Sequence, residues 1–358
     1  MKQVHRTGKA SKSEPEDVIS SMPDNVITNI LDRLPLEAAV RTDILSRNWR
    51  YRWTMLTQLI FDKRFFEYLQ GRVGYWCFDV KNISRLLLHV KGPITKFDLY
   101  IPNNVVLDVE DINHWVLFLS KKGIKEFSII NMHEIPLTLP THIFSLLELK
   151  HLKLQNCYFH PAPDDCGFPN ILSLHLQRVT FGSGGCWKLI SRCHLVEILI
   201  IRYPEPIEKV KLAEIATLKN LKALFFPLCY LDNIVITCSD IFELGGFLPK
   251  LEELHLDFRC CKFRRETGTR KWVSTAFPTL KNLIIYSIDF GSGSMLSCAF
   301  EMIWGSPNLK FLMIGAAYKK SVELPAFCLS EIDYHTMEQL QLQIVNSHIL
   351  EVQKMKYI

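Results

Sequence analysis

Several groups in this 358-residue chain have the residue types of a chemical site, and none has the spacing that such a site needs. Cys186, seven residues before Cys193 with His194 beside it, offers zinc-ligand types without the short ligand pairs of a structural zinc cage. Cys260 and Cys261 form a pair with no second pair to complete a tetrahedron. Gly182-Ser-Gly-Gly185 and Gly291-Ser-Gly-Ser294 suggest phosphate cradles but lack the Gly-Lys-Ser/Thr ending of a phosphate loop. No Gly-x-Ser-x-Gly nucleophile elbow and no His-Glu-x-x-His helix occurs. The basic cluster Arg259, Lys262, Arg264, Arg265, Arg270 and Lys271 reads as a solvated loop, with an acidic partner patch or a nuclear-import signal as the functional alternatives. Together these exclusions turn the argument from catalysis toward binding.

The elements that would carry a binding surface are legible as a repeat. Ten segments have the form apolar-x-x-apolar-x-apolar, centred on Phe97, Phe127, Leu152, Leu174, Leu199, Leu224, Leu254, Leu283, Leu312 and Leu340. The centres are spaced 22 to 30 residues apart, a period that marks a solenoid. Pro169, Pro249, Pro278 and Pro307 each lie five residues before a centre, where proline interrupts the chain ahead of a short strand. Candidate helices fall between the strands at 111–121, 187–193 and 295–304. The rival is a doubly wound or barrel α/β fold, whose strands are covered on both faces and read as unbroken apolar runs. Here His151-Leu-Lys-Leu-Gln155 and Glu253-Leu-His-Leu-Asp257 each keep a polar side, which favours the solenoid. One strand and one return per unit resembles a leucine-rich repeat. That family's ladder asparagine, expected five residues after each centre, is mostly missing, which predicts irregular units.

Ahead of the repeats, residues 17–62 read as three helices. Pro23 and Asp24 suit a first helical turn, and Pro35 ends an apolar run of Val26, Ile27, Ile30, Leu31 and Leu34. A second helix is expected over 36–45 and a third over 47–55, capped by Ser46 and carrying Trp49 and Trp53 on one face. Asp17 to Asp24, Ile30-Leu-Asp-Arg-Leu-Pro35, Ala39 to Thr42, Leu45-Ser-Arg47, Trp49, Trp53 and Leu59-Ile-Phe-Asp62 fall in the order of an F-box. The whole chain thus resembles a plant F-box/leucine-rich-repeat protein, with Met22, Asp43 and Asn48 as departures from the usual motif.

That resemblance implies an α/β protein: a three-helix F-box followed by an irregular leucine-rich-repeat solenoid (horseshoe) of about ten strand-helix units. Its parts would be a flexible basic tail (1–15), the F-box (16–62), a helical linker or cap (63–90), the solenoid (91–345) and a remnant of an FBD-like segment (346–358). It implies a non-catalytic substrate receptor in which the F-box docks a Skp-type adaptor and, through it, a cullin scaffold. No cofactor, metal, nucleic acid or membrane is implied. The alternative is a repeat scaffold without ubiquitin transfer. The apolar ridge expected to face the adaptor comprises Met22, Pro23, Ile30, Leu31, Leu34, Pro35, Val40 and Leu45, with Trp49 and Trp53 either in the interface or in the module's own core. The substrate surface expected on the concave face comprises His175, Gln177, Ile200, Arg202, Phe225, His255, Asp257 and Tyr286. Its histidines are read as polar surface residues, not acid–base catalysts.

Composition agrees with a binding protein. The net charge of +5, from 42 basic and 37 acidic residues, is too mild to imply nucleic acid. No long apolar stretch or signal-peptide core is present, so a soluble protein of the nucleus or cytoplasm is expected, its eleven cysteines reduced and buried.

Overall fold

The computed structural model describes residues 19, 21–73, 80–160, 167–182, 185–202, 212–231, 236–259, 261–264, 276–316 and 327–329. The expected basic tail, the repeat centred on Leu340 and the segment 346–358 lie outside the described residues. The first helix, α1 (Asp24–Leu31), starts after Pro23, and α2 (Leu36–Arg41) starts after Pro35 and continues as a 3-10 turn to Ile44. The third expected helix does not form as an α-helix. Turns carry the chain from Arg47 to Tyr51, Tyr51 is left-handed at φ 65°, and a 3-10 turn spans Arg52–Met55. A left-handed residue cannot sit inside a right-handed helix. The Tyr51 N–H donates to the Asp43 carboxylate, which gives that motif departure a structural role.

The chain next forms β1 (Gln58–Phe61), the first strand of the sheet, although the motif places these residues in the F-box. Helices α3 (Lys63–Val73) and α4 (Lys81–His89) lead to β2 (Lys96–Ile101), and α5 (Val109–Ser120) leads to β3 (Glu126–Asn131). Then follow β4 (Leu137–Leu139), β5 (His151–Phe159), β6 (Ser173–Phe181), α6 (Gly185–Ile190), β7 (Ile198–Arg202), α7 (Leu212–Ile215) and β8 (Ala223–Pro227). The series closes with α8 (Cys238–Phe247), β9 (Glu253–Asp257), β10 (Asn282–Ile288), α9 (Gly293–Trp304), β11 (Phe311–Ala316) and β12 (Phe327–Leu329). Apart from β4, which pairs with β5, the strands lie in sequence order, parallel from β1 to β11, with β12 antiparallel at the end. This is an open leucine-rich-repeat sheet behind an amino-terminal helical module.

Register follows the apolar period. Phe97, Phe127, Leu152, Leu174, Leu199, Leu224, Leu254, Leu283 and Leu312 pair side by side across the sheet. Each of these centres is buried, as are the apolar residues three before and two after it in the described repeats. Leu59 extends the row by pairing with Phe97. Phe97 and Phe127 stack at 5.7 Å, as do Phe159 and Phe181 at 5.2 Å. Burying one such side chain contributes about 1.5–3 kcal/mol, and the row repeats that gain in every unit.

The units are bound together where the family pattern does not look. Four residues before their centres, Asn170, Asn220 and Asn308 donate to the carbonyls of Leu147, His194 and Pro278 in the preceding unit, at 2.9, 3.0 and 2.7 Å. Thr279 reaches the Pro249 carbonyl from the same position at 3.4 Å. Two residues before the centres runs a charged rail, in which Lys222 meets Glu197 and Lys281 meets Glu252, each at 2.8 Å. Between β3 and β5, the buried Asn131 and Asn156, four residues after their centres, tie the strand ends by donating to the carbonyls of Asn156 and His133.

The module and the sheet share one hydrogen-bond network. The Asp32 carboxylate accepts from the Thr57 N–H at 2.9 Å and its hydroxyl at 2.7 Å, while the Thr57 carbonyl accepts from Thr95 and Lys96 N–H groups. The Thr54 carbonyl accepts from the N–H groups of Lys91 and Gly92.

Candidate functional site

Two surfaces among the described residues bear on binding once the core is accounted for. The first lies on the helical module. In α1, Ile27 and Leu31 turn into the core, whereas Val26 and Ile30, four residues apart, form an exposed stripe on another side. Leu34 and Pro35 at the turn are exposed, and beyond α2 Ile44 and Leu45 stand 79% and 65% exposed. Met22 and Val40 are half-buried against the core, and Pro23 is exposed. Leu31, Trp49 and Trp53 are placed differently from an outward ridge: Trp49 and Trp53 are 9% and 8% exposed and belong to the module's own core. The broken third helix is the reason, because the turn at Tyr51 separates the two indoles that a helix would have set on one face. Val26 and Ile44 were missed by the motif reading, although their apolar type beside Ile30 and Leu45 was a usable signal.

The second surface is the sheet face turned away from the helices. Side chains one and three residues after each centre line it, because strand residues alternate sides. Along one row Lys153, His175, Ile200, Phe225, His255 and Ile284 are paired neighbours, and along the other Gln155, Gln177 and Arg202, then Pro227, Asp257 and Tyr286. All eight sequence-predicted residues fall on this face. His255 and Ile284 are nevertheless buried there, at 7% and 9% exposure, because larger neighbours close over them.

Two hollows are cut into this face. One of about 510 Å³ lies toward the amino-terminal strands, bounded by Lys96, Asp98, Glu126, Lys153 and His175. Three of its charges satisfy one another, with Lys96 Nζ 3.1 Å from Glu126 and 3.6 Å from Asp98. Burial opposes the Lys96 ammonium, yet the Glu126 hydrogen bond and Asp98 outweigh it and raise the lysine above its ordinary value. Burial also raises Asp98, since the lysine only partly offsets lost solvation. The second hollow, about 430 Å³, is bounded by Arg202, Phe225, His255, Asp257 and Tyr286. Phe225 and His255 stack at 3.6 Å, Tyr286 follows at 6.2 Å, and the Arg202 guanidinium lies 5.8 Å from the centre of the Phe225 ring.

Burial works against the charged form of both His175 in the first hollow and His255 in the second. His255 Nε2 donates to Glu253 Oε1 at 2.7 Å, so Nδ1 carries the lone pair, and that buried atom has no hydrogen-bond partner among the described residues. Burial lowers the His255 pKa against the Glu253 bond that raises it, and Arg202 lowers it further. His175 is lowered by burial and by the positive groups Lys153 and Arg202, with His151 adding to them.

Two buried thiols are poorly suited to act as nucleophiles. Burial pushes the Cys193 thiol up to about 11 and raises that of Cys157 further, away from the thiolate a nucleophile needs. Among the described residues no cluster of His, Cys, Asp and Glu could hold a metal ion. Of the basic cluster, Arg259 pairs with Asp257, while Lys262 and Arg264 bracket a bridge between Ile236 and Phe263; Arg265, Arg270 and Lys271 lie outside the described residues. Ser292, in the second Gly-Ser motif, accepts from the Met295 N–H and caps α9, which makes that motif a helix start. No helix among the described residues is long and apolar enough to cross a membrane.

Comparison with known proteins finds two recognised family models along the chain. Residues 19–60 match the family model of the F-box domain, and residues 112–243 match the model described as FBD-associated F-box protein At5g56370, LRR repeats. The F-box/FBD/LRR-repeat protein At1g13570 of Arabidopsis thaliana is 29% identical over 93% of this chain and 84% of its own length. The FBD-associated F-box protein At4g10400 of the same plant is 32% identical over 83% of this chain and 77% of its own.

Proposed function

This chain belongs to the plant F-box/leucine-rich-repeat family, and from that premise we propose that it is the substrate-recognition subunit of a Skp–cullin–F-box ubiquitin ligase. The observation that carries the reading is the separation of two open surfaces on one continuous scaffold. An exposed apolar patch of Val26, Ile30, Leu34, Ile44 and Leu45 sits on the helical module, and a polar-aromatic face lies on the repeats. Contiguous exposed apolar side chains rimmed by polar ones mark protein interaction sites. The F-box implies a Skp-type adaptor as the partner for the first surface. Met22, Pro23, Pro35 and Val40 complete that contact, while Leu31, Trp49 and Trp53 hold the ridge in shape from beneath.

The second surface takes the protein to be modified, through His175, Gln177, Ile200, Arg202, Phe225, Asp257 and Tyr286, with His255 supporting the ring of Phe225. Ubiquitin transfer itself belongs to other subunits, as is general in this family. The cullin scaffold is reached only through the adaptor. Residues 16–62 act as the docking module and the repeats from 91 onward as the receptor.

Co-purification with a Skp-type adaptor tests the proposal, comparing wild type with an Ile30→Ser, Leu34→Ser, Leu45→Ser variant. The expected result is adaptor retained by the wild type and lost by the variant, with the same thermal transition for both. Adaptor binding without cullin-dependent ubiquitination of any captured protein would instead favour a repeat scaffold. No binding by folded wild type would overturn the proposal.

A further inference from the structure

Charges on the inner face are unequally satisfied. Three of its acids have a cationic partner, Asp98 and Glu126 in Lys96 and Asp257 in Arg259, and Glu253 accepts a hydrogen bond from His255. Two of its cations, Lys153 on β5 and Arg202 on β7, make no ion pair or hydrogen bond among the described residues. Both side chains are exposed, and His175, on the strand between them, feels the positive charge of each. Arg202 also forms one wall of the aromatic hollow, beside Phe225.

We propose that the inner face captures an acidic segment of its protein partner, two carboxylate side chains meeting Lys153 and Arg202 and a neighbouring aromatic or long apolar side chain entering the hollow walled by Phe225, His255 and Tyr286. This rests on the substrate-receptor reading and names the chemistry of that substrate. Spacing supports it. Two strand intervals separate the cations by roughly 10 Å sideways, and two residues along the strand by roughly 7 Å, or about 12 Å in all. On an extended segment rising roughly 3.3 Å per residue, that distance matches acids three or four residues apart.

A guanidinium suits a carboxylate because its planar fork offers two parallel N–H donors. A nucleic acid fits less well, because a phosphate backbone needs a run of cations, and the two unpaired ones here stand apart.

Selection from a random peptide display library on the full-length chain, followed by fluorescence anisotropy with the best recovered peptide, tests the inference. Recovered sequences are expected to carry paired Asp or Glu three or four residues apart beside an aromatic or long apolar residue. Lys153→Glu and Arg202→Glu are each expected to weaken binding tenfold or more at an unchanged melting temperature. Recovery of neutral or basic sequences, of none at all, or of peptides that bind both variants as well as wild type would overturn it. So would displacement of the peptide by oligouridylate at equal affinity. Adaptor co-purification on the same preparations separates the two proposals: adaptor bound without acidic selection sinks this inference alone, and acidic selection without adaptor binding sinks only the ligase assignment.

Discussion

Isoleucine and leucine have opposite fates in the repeats and in the helical module. Leu174, Leu199, Leu224 and Leu254 each lie between two units and are wholly buried, whereas Leu34, Ile44 and Leu45 project from a module on which no described residue covers them. A repeat supplies each apolar side chain with a wall from the unit before and another from the unit after. The module has the sheet on one side only, through β1, and two short helices cannot wrap the remainder. Identical residue types therefore build the core in one region and an exposed apolar surface in the other.

The largest test of that contrast is Leu254→Ala, expected to cost about 2–5 kcal/mol by the loss of a buried side chain and the cavity left behind. Urea unfolding of the mutant should show the loss, and an unchanged midpoint would mean the repeats are not a shared core. Gly245→Ala comes next. A Cβ there would lie 2.7 Å from the Ala276 carbonyl and against the Phe277 ring, so about 1–3 kcal/mol of overpacking should follow, read as a lower thermal transition.

Asn308→Ala removes one tie between neighbouring units and should cost about 1 kcal/mol. Hydrogen exchange should rise first in β11, and equal protection across the sheet would deny the asparagine its bridging part. A weaker effect concerns pH. His175 and His255 both have folded pKa values below the ordinary 6.5, so the unfolded chain binds the more protons. Stability is thus complete above pH 6.5 and falls as pH drops below it toward the lower folded values. A melting series across that window should flatten in a His175→Gln, His255→Gln variant.

The smallest change in stability is expected on the module. Leu34→Ser should alter unfolding by less than about 0.5 kcal/mol, as exposed sites do. Its adaptor binding should nonetheless drop, measured by calorimetric titration. A large loss of stability with full binding would invert the comparison.

Much of this was legible in the sequence for a physical reason: a period of apolar residues fixes which side of a strand meets the core. Nine centres from Phe97 to Leu312 fall into lateral register as the pattern implies. The ties between units were not legible, because attention to the position five residues after each centre hid the polar residues four before it. Asn170 and Asn308 follow the very prolines that mark the strand entry, so the signal was adjacent and unused. The third helix was misread because local composition cannot show that Asp43, eight residues upstream, holds Tyr51 in a left-handed turn. The inward turn of Trp49 and Trp53 follows from that same break. On the inner face, strand alternation located the eight candidate residues, but only the structure shows that Asp257 is paired and that Arg202 has no ion pair among the described residues.

The union of β1 with the module has a further meaning. Residues 58–60 lie within the F-box match and also within the first strand of the sheet, with Thr57 bonded to both. The chain therefore passes from module to sheet without a linker between them. Under the proposed receptor role such a geometry would work as a fixed gauge: lysines of a captured protein would be selected by their distance from the segment held on the inner face, and a longer or shorter spacing would place them out of reach.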